Sequence, residues 1–435
     1  MVTRNKYSEV IIILFNLKRK KILNMTNTNK CWNGNFLLIV LGNFVSRMGT
    51  IIFDIALSWW LVDVTGSARY IGYILAASLL PVAVLSPISG VFSDRWNKKY
   101  ILIISDFLSG IFSICVSIMA FLNMMNIPLL ILFSFLLGTC SSLFKPTIKS
   151  IIPRLVDKSS LIKANSIFAT ISHTTKMVGP LAGGALIALP SIGVPGTLAF
   201  NGLSFIFSAI SEIFIKYKAK QSSSKKSKII SSLKQGFGYV NSNKIIKNLL
   251  IVASLSNIFL ASLVILLPLY IKLILKEPVR FYSFTLAAGA IGGIIISILF
   301  IIAKNIKPTL KLITLTITLT GIMLSLASLS PIFKPLLLIF IFLIGLLSTA
   351  FNTLYYSYVQ AIVDKDLQGR VFSIIYMIAT ISIPVSYLVF GFLGDYILKL
   401  VFFYSGIGII LCSLPLFFIK NLANEINSLS ANSNF

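Results

Sequence analysis

Twelve apolar stretches, each of about 20 residues, alternate with short polar connections along this chain of 435 residues. A helix rises about 1.5 Å per residue, so a stretch of this length crosses a hydrocarbon core of about 30 Å. The pattern therefore predicts an all-α membrane protein with twelve transmembrane helices. The predicted spans are 36–61, 71–92, 100–122, 128–147, 165–188, 197–215, 248–270, 281–303, 312–330, 336–357, 371–394 and 400–419.

Lysine and arginine are concentrated in every second connection. With the N-terminus inside, the inner connections hold 30 of the 38 basic residues and the outer connections hold six, when Lys145 is counted with the connection after the fourth span. Because short basic loops stay in the cytoplasm, we expect both termini there and a multi-pass protein of the cell membrane. The net charge of +26 then faces an anionic inner leaflet, and we expect no nucleic-acid partner.

A Lys- and Ser-rich connection divides the spans six and six, and a short surface helix is expected after Ile229. Val156-Asp157-Lys158 follows the fourth span and Val363-Asp364-Lys365 follows the tenth, which predicts two six-helix pseudo-repeats. Near the N-terminus, two alternatives stay open: an interfacial helix on the inner leaflet, or a start at Met25. The predicted segments are an N-terminal segment 1–32, a bundle 33–215, a linker 216–247, a bundle 248–420 and a tail 421–435.

The connection between the second and third spans carries a recognisable motif, Gly90-Val91-Phe92-Ser93-Asp94-Arg95-Trp96-Asn97-Lys98-Lys99. Except for Asn97, it resembles the signature loop of the major facilitator superfamily, Gly-x-x-x-Asp-Arg-x-Gly-Arg-Lys. The resemblance implies two six-helix bundles and alternating access. It also implies a cytoplasmic gate in which Asp94 holds the start of the eleventh span. The expected gate residues are Gly90, Asp94, Arg95, Lys98, Lys99, Asp106, Gly369 and Arg370. Alternatively, the basic residues of the loop are only orientation anchors.

The fifth span contains Gly179-Pro180-Leu181-Ala182-Gly183-Gly184. This stretch resembles the Gly-Pro-x-x-Gly-Gly core that is typical of antiporters in the superfamily. Proline bends a helix, and glycines let a second helix approach closely, so a helix–helix seam is expected here. Glycine and proline are also common in membrane helices generally. The fold implied by the resemblance places the third span, with Gly110, mainly against lipid.

Three further stretches resemble the macrolide-efflux branch of drug exporters within this superfamily. They are Trp59-Trp60-Leu61-Val62, Leu161-Ile162-Lys163-Ala164-Asn165 and Gly369-Arg370-Val371-Phe372-Ser373. The resemblance covers about residues 33–420, and exporters of siderophores and a lysophospholipid carrier also belong to this branch. Many drug antiporters carry an arginine in the fourth span, but Phe133–Gly138 contains no charge here. A coupling cation must therefore come from elsewhere.

Charged groups inside the predicted spans are candidates for proton coupling. Arg47 and Asp54 are seven residues apart in the first span and share one helix face, about 10 Å apart along the axis. His173 and Lys176 share a face of the fifth span. A charge in mid-membrane costs about 2.5–3.5 kcal/mol on insertion scales, so such residues have a partner or a function. The alternatives are a structural ion pair or side chains that snorkel outward.

The resemblance implies a central cavity between spans one, four, seven and ten. Polar and aromatic residues of these spans suit a large amphipathic guest better than a sugar. Tyrosines at a membrane interface are the alternative explanation for the aromatic members. The candidate cavity residues are Asn43, Ser141, Ser142, Asn257, Asn352, Tyr355 and Tyr356.

These observations predict an efflux transporter that exports amphipathic, macrolide-like compounds by alternating access in exchange for protons. The alternative is an uncoupled carrier of an endogenous lipid, siderophore or metabolite. No Gly-x-x-x-x-Gly-Lys-Ser/Thr phosphate loop is present, and four scattered cysteines with one histidine form no metal motif. We therefore expect neither an enzyme nor a cofactor. The expected partners are a small amphipathic substrate, protons and membrane lipids, and the expected state is a monomer.

Overall fold

The computed structural model describes residues 33–124, 126–157, 160–216, 229–303 and 306–418. The predictions for the N-terminal segment, for most of the linker and for the tail lie outside these ranges. Twelve long helices run through the described part of the chain, and a shorter linker helix lies between the sixth and the seventh. They are α1 (Gly34–Thr65), α2 (Ala68–Arg95), α3 (Lys98–Phe121), α4 (Ile127–Leu155), α5 (Leu161–Ala188), α6 (Gly193–Ile213), the linker helix (Ile229–Ser242), α7 (Lys244–Leu269), α8 (Val279–Ile302), α9 (Leu310–Leu326), α10 (Leu336–Ile362), α11 (Lys365–Ile397) and α12 (Val401–Phe418).

Ten stretches of the described residues are long and apolar enough to cross a membrane. Nine correspond to single helices, α7 being extended to Ile274, and the tenth, Leu367–Leu416, runs through both α11 and α12. Only α5 does not qualify, because it carries His173 and Lys176 among many Ser and Thr residues. The prediction of an all-helical, multi-pass membrane protein is confirmed.

Polar residues in the short connections begin several of the helices. The side chains of Asn33, Asn97 and Asn126 accept hydrogen bonds from backbone N–H groups at the starts of α1, α3 and α4. Asn243 and Thr309 do the same for α7 and α9. These side chains satisfy N–H groups that have no partner within the helix. In particular, Asn97 begins α3 at the position where the superfamily motif has its second Gly.

The helices pack as two bundles with the same internal arrangement. In the first bundle α2 packs on α4, α3 on α6 and α1 on α5. In the second, α8 packs on α10, α9 on α12 and α7 on α11. Adding six to the helix numbers of each pair in the first bundle gives a pair in the second bundle. Two pseudo-repeats require this correspondence.

Matching residues occupy matching places in the two bundles. Val156 and Val363 are buried and follow the ends of α4 and α10. Gly138 and Gly345 lie the same number of residues ahead of them. A Cβ on Gly138 would collide with the Ser78 carbonyl oxygen of α2, and a Cβ on Gly345 would collide with the Gly289 carbonyl oxygen of α8. At this matching position, each bundle therefore has a helix crossing that is too close for any side chain.

Contacts between the bundles are made mainly by α2 with α11 and by α5 with α8. At the first of these crossings a Cβ on Gly391 would lie 3.1 Å from Cα of Gly72. We call the end of the protein with connections 95–98, 155–161 and 362–365 the basic end, and the other the opposite end. The contacts of Gly72 with Gly391, and of Gly184 with Ser283, lie in the half nearer the opposite end.

Two expectations about individual helices are wrong. A Cβ on Gly110 would lie 2.8 Å from Ile206 Cγ1 and 3.1 Å from the Gly202 carbonyl oxygen, so this position of α3 packs on α6 and not on lipid. The fourth helix extends to Leu155, eight residues beyond the predicted span 128–147. Lys145 therefore belongs to the helix and not to the connection that follows it, which places a cation in α4.

We expect Gly138→Ala and Gly345→Ala each to destabilise the protein. In both cases the added methyl group meets a backbone carbonyl oxygen that cannot rotate away, so two helices must separate. Overpacking of this kind costs about 1–3 kcal/mol. Thermal unfolding of the purified protein in detergent, followed by tryptophan fluorescence, would measure the loss.

Gly34→Ala is the matched control, because a Cβ at Gly34 has no other atom within 4 Å. Its melting temperature should equal that of the unmodified protein. Equal stability of all three variants would contradict the close crossings.

Candidate functional site

Asp54 lies in the cleft between the two bundles. Its side chain on α1 is exposed, and its charge acts on the phenol groups of Tyr282 on α8 and Tyr387 on α11. Since both tyrosines belong to the second bundle, the exposed face of Asp54 points into the cleft and not towards lipid. A carboxyl group at this place can respond to the relative position of the bundles.

The positive charge of Lys145 on α4 acts on Asp54. Lys145 interacts with Asp54 and also with Arg47 and Lys149. Within the described residues, no Lys or Arg nitrogen lies within 4.0 Å of an Asp54 oxygen. The two charges therefore attract each other across a gap that water, a proton or a substrate can enter. Sequence reasoning missed Lys145 because the apolar pattern fades before the helix ends.

His173 and Lys176 lie closer to the basic end than Asp54. Gly183 of α5 packs beside Ile52 of α1. Since α5 starts at the basic end, His173 lies about 15 Å closer to that end than the contact between Gly183 and Ile52. Both side chains are exposed. The structure brings Lys145, and neither of these two residues, into the surroundings of Asp54.

An aromatic cluster lies on the second-bundle side. Tyr355 of α10 stacks on Phe351 at 5.7 Å and meets Tyr356 edge-on at 5.3 Å. Tyr356 continues the cluster to Phe372 of α11 at 6.0 Å. Tyr356 is half-buried, whereas Tyr355 is buried, and its hydroxyl group has no hydrogen-bond partner within the described part of the chain. An aromatic wall with an unused hydroxyl group suits a large guest that carries a polar atom.

The remaining cavity candidates divide into buried and accessible residues. Ser142 is buried and donates its hydroxyl hydrogen to the Thr139 carbonyl oxygen of its own helix, so it packs inside the first bundle. Asn43 is buried as well, and none of the described residues forms a hydrogen bond with its side-chain oxygen. Asn352 is exposed, and Ser141 and Asn257 are half-buried. The last three are the polar candidates that a guest can reach.

At the basic end, the side chains of Gly90, Asp94 and Arg95 lie outside what the structure describes. Lys98 is buried at the start of α3, and Lys99 donates to the Ile213 carbonyl oxygen of α6 at 2.6 Å. A Cβ on Gly236 of the linker helix would lie 2.9 Å from the Arg370 carbonyl oxygen, while Gly369 has open space beside it. The start of α11 therefore packs on the linker helix.

Asp106, the last of the gate candidates, lies about two turns inside α3, and its part in the gate stays a prediction. Its side chain is buried between α3 and α6, near Ser208 and Glu212. Glu212, in the last turn of α6, is buried too. The apolar pattern could not reveal this pairing, because it depends on how α3 and α6 are rotated against each other.

The glycine-rich stretch of α5 faces two different helices. A Cβ on Gly179 would lie 2.7 Å from Ile51 Cγ2, and one on Gly183 would lie 3.4 Å from Cα of Ile52, both on α1. A Cβ on Gly184 would collide with the Ser283 hydroxyl oxygen of α8. Pro180 is buried between these positions. The stretch therefore lies partly within the first bundle and partly between the bundles.

Asp395, near the end of α11, holds the start of α2 at the opposite end. Its two carboxylate oxygens accept hydrogen bonds from the Ala68 backbone N–H at 2.6 Å and from the Ser67 hydroxyl group at 2.7 Å. Arg69 adds an ion pair at 3.9 Å. A carboxylate at a helix N-terminus binds both free N–H groups and the positive end of the helix dipole. We call this contact between the bundles the Asp395 clasp.

A second set of contacts joins the bundles beside the clasp. Lys272, after α7, forms an ion pair with Asp63 of α1, and its Nζ lies 5.1 Å from the centre of the Trp59 ring. Trp59 stacks on Tyr282 of α8 at 6.1 Å. Tyr282 therefore connects through Trp59 and Lys272 to the surface at the opposite end. The charge of Asp54 acts on Tyr282 at the inner end of this series.

These contacts close the opposite end of a charged cleft that lies between two pseudo-symmetric six-helix bundles. This arrangement defines a membrane carrier of the kind that exposes a central site alternately to the two sides. The chain belongs to the Major Facilitator Superfamily, whose sequence profile matches residues 39–387.

Known relatives extend over most of the chain. It is 23% identical to macrolide efflux protein A of Streptococcus pyogenes, over 84% of this chain and 90% of that protein. It is 25% identical to the staphyloferrin A transporter of Staphylococcus aureus, over 80% of this chain and 85% of that protein. The crystal structure of the nucleoside transporter NupG matches with a TM-score of 0.76 at 12% identity, covering 89% and 99% of the two chains. The last similarity concerns the fold alone.

We expect Asp395→Ala to open the opposite end more often. The variant loses the carboxylate that binds the start of α2, and the loss of such a cap costs about 0.5–2 kcal/mol. A change of about 1.4 kcal/mol shifts a two-state population tenfold. Pulsed electron-spin distances between labels on Val64→Cys and Leu400→Cys, both exposed at this end, should show a larger long-distance population.

Asp364→Ala is the matched control, since this exposed residue begins the same helix at the basic end and its side chain makes no capping hydrogen bond. Distances in the control should match those of the labelled parent. Identical distance distributions in all three proteins would show that the clasp does not hold the end closed.

Proposed function

We propose that this transporter exports amphipathic, macrolide-like compounds from the cytoplasm in exchange for protons. Asp54 is the proton-exchanging group, and Lys145 is the cation that acts on it. The observation that carries the proposal is the position of this pair, in a cleft that both bundles share. The chain acts as a carrier and not as an enzyme in this proposal.

The basic end faces the cytoplasm in the proposed orientation, because short connections rich in Lys and Arg stay inside. Both termini are then cytoplasmic. The contacts of Asp395 and Lys272 close the outer side, so the described conformation receives substrate from the cytoplasm. In the outward-facing state, Asp94 is expected to hold the start of α11, a role that stays a prediction.

Coupling follows from the opposite effects of burial and charge on a carboxyl group. A nearby cation favours the carboxylate, whereas removal from water favours the neutral acid. Lys145 lies on α4 and Asp54 on α1, so movement of these helices changes their separation. Arg47 contributes by repelling Lys145. In this proposal Lys145 is a cation on the same helix as the superfamily's arginine, but beyond the uncharged stretch Phe133–Gly138.

The aromatic cluster of α10 and α11 offers the surface for the apolar part of a substrate. Asn352 is exposed on the same helix and offers a hydrogen-bond donor and acceptor. One proton moving across 100 mV yields about 2.3 kcal/mol, and a tenfold concentration ratio requires about 1.4 kcal/mol. One exchanged proton can therefore support a gradient of roughly fiftyfold.

A second candidate is an uncoupled carrier for an endogenous siderophore, lipid or metabolite. The relative named as a staphyloferrin A transporter favours it, because its identity to this chain is as high as that of the macrolide efflux protein. In this candidate Asp54 and Lys145 bind a polar substrate and no proton is exchanged. Accumulation that is independent of a pH gradient would distinguish this candidate from the first.

We expect Asp54→Asn to abolish proton-driven accumulation while leaving exchange of substrate down its gradient intact. The amide resembles the protonated acid but cannot release a proton. Uptake of a labelled macrolide into inside-out vesicles, with and without a pH gradient, measures the first property, and counterflow measures the second.

Asp157→Asn, an exposed carboxylate after α4, is the control and should transport normally. Full gradient-driven accumulation by the Asp54→Asn protein would remove Asp54 from the mechanism and favour the uncoupled carrier.

We further expect Lys145→Gln to shift the pH profile of transport towards alkaline pH by about one unit. Loss of the positive charge makes proton release from Asp54 harder, so release requires a lower proton concentration. Lys149→Gln removes a charge one turn further along α4 that acts on Lys145 but is not among the charges acting on Asp54. An identical shift in both variants would show that only general charge, and not the pairing with Asp54, matters.

A further inference from the structure

The seam between α3 and α6 is lined by polar groups that are partnered along most of its length. Ser117 donates to the Pro195 carbonyl oxygen at 2.8 Å, and Asn201 donates to the Ser113 hydroxyl oxygen at 3.1 Å. Nearer the basic end, Lys99 donates to the Ile213 carbonyl oxygen. Between these levels Gly110 and Gly202 bring the two helices into backbone contact.

At one level of the seam, the polar groups lack hydrogen-bond partners among the described residues. Asp106 and Glu212 are each 2% exposed, and Ser208 is fully buried. Asp106 Oδ2, Glu212 Oε2 and Ser208 Oγ are all shielded from solvent and without a hydrogen-bond partner among the described residues. Ser208 and Glu212 are four residues apart on one face of α6, and the charges of Asp106 and Glu212 act on each other. Two buried carboxyl groups, which act on each other, and the Ser208 hydroxyl group, which acts on Asp106, therefore lie close together at this level.

Among the described residues, no Lys or Arg side chain acts on Asp106 or Glu212. From α4, Cys140 faces Asp106, and from α1, Gly42 packs against Ser208 and Ser211. Lys99 is engaged with the Ile213 carbonyl oxygen, and Lys98 has contacts of its own. Two carboxylates at this place would put two negative charges into the protein interior, where each ion loses its hydration without gaining a cation as a partner.

We propose that Asp106 and Glu212 form a proton-binding site that holds one proton between them, separate from the transport cleft. The protonated carboxyl group donates to the other carboxylate, which gives a short, charge-assisted hydrogen bond. Ser208 donates its hydroxyl hydrogen to the remaining carboxylate oxygen. One bound proton thus provides every donor that this level lacks.

A proton fits the site better than a metal cation does. Sodium-sized and larger hard cations need about six oxygen ligands. Ser211 has the next hydroxyl group of α6, and it donates to the Ser208 carbonyl oxygen at 2.7 Å. This hydroxyl group is therefore used within the helix and is not counted as a metal ligand. The two carboxyl groups and Ser208 alone leave a metal ion poorly coordinated.

The bound proton makes the stability of the first bundle depend on pH. The folded protein keeps a proton that both carboxyl groups lose in the unfolded chain at neutral pH, so the folded state binds more protons. Stability therefore falls as the pH rises. The effect is expected in the absence of substrate and does not depend on the proposed transport function.

The test compares thermal unfolding of the purified full-length protein with that of Glu212→Gln between about pH 6 and about pH 9. The wild-type melting temperature should fall by roughly 2–4 °C more than that of the variant, because the glutamine amide donates a hydrogen bond at every pH. Asp157→Asn, an exposed carboxylate, should follow the wild type. Infrared difference spectra should show a protonated carboxyl band at alkaline pH in the wild type that Glu212→Gln lacks.

Two outcomes would overturn the proposal. One is parallel melting curves of wild type and Glu212→Gln together with no protonated carboxyl band. The other is a wild-type melting temperature that rises with sodium chloride and not with choline chloride, because the site would then hold a metal ion. If Glu212→Gln fails to fold, Asp106→Asn provides the same comparison, since its amide can donate to Glu212.

Discussion

Close approach of helix backbones is the constraint on which the rest of this structure depends. Inside a membrane, helices gain no hydrophobic energy by leaving lipid for one another, so they associate through close packing and hydrogen bonds. Gly138 and Gly345 provide this approach inside the two bundles, and Gly72 with Gly391 provides it between them. These crossings set the rotation of each helix, and the rotation decides which side chains meet.

The two bundles share an architecture but differ in chemistry. The first bundle contributes the charges of the cleft, with Asp54 on α1 and Lys145 on α4. The second contributes tyrosines that face them, Tyr282 and Tyr387, and the aromatic cluster around Tyr355. A change in the charge of Asp54 in the first bundle therefore alters the electrostatic surroundings of Tyr282 and Tyr387 in the second bundle. Such a division allows an electrostatic event in the cleft to bias how the bundles dock.

The closed end of the cleft depends on groups that are partnered only while the bundles are together. Asp395 binds the start of α2, and Lys272 binds Asp63. When the bundles separate there, these charges must exchange protein partners for water, at little net cost near the surface. The clasp is thus strong enough to favour one state and weak enough to release it. By contrast, the pair of Asp106 and Glu212 lies inside one bundle.

The sequence by itself determined the helical membrane fold, its two halves and the family, because these follow from local composition and from short motifs. It also identified Asp54 as a charge inside a span. Only the tertiary structure placed Lys145 beside Asp54, joined Asp106 to Glu212 and brought Asp395 to the start of α2. Hydropathy records how much apolar surface a segment has, but it does not record the rotation and register of one helix against another. Those are decided by packing between residues far apart in the chain, and they determine which charges become neighbours.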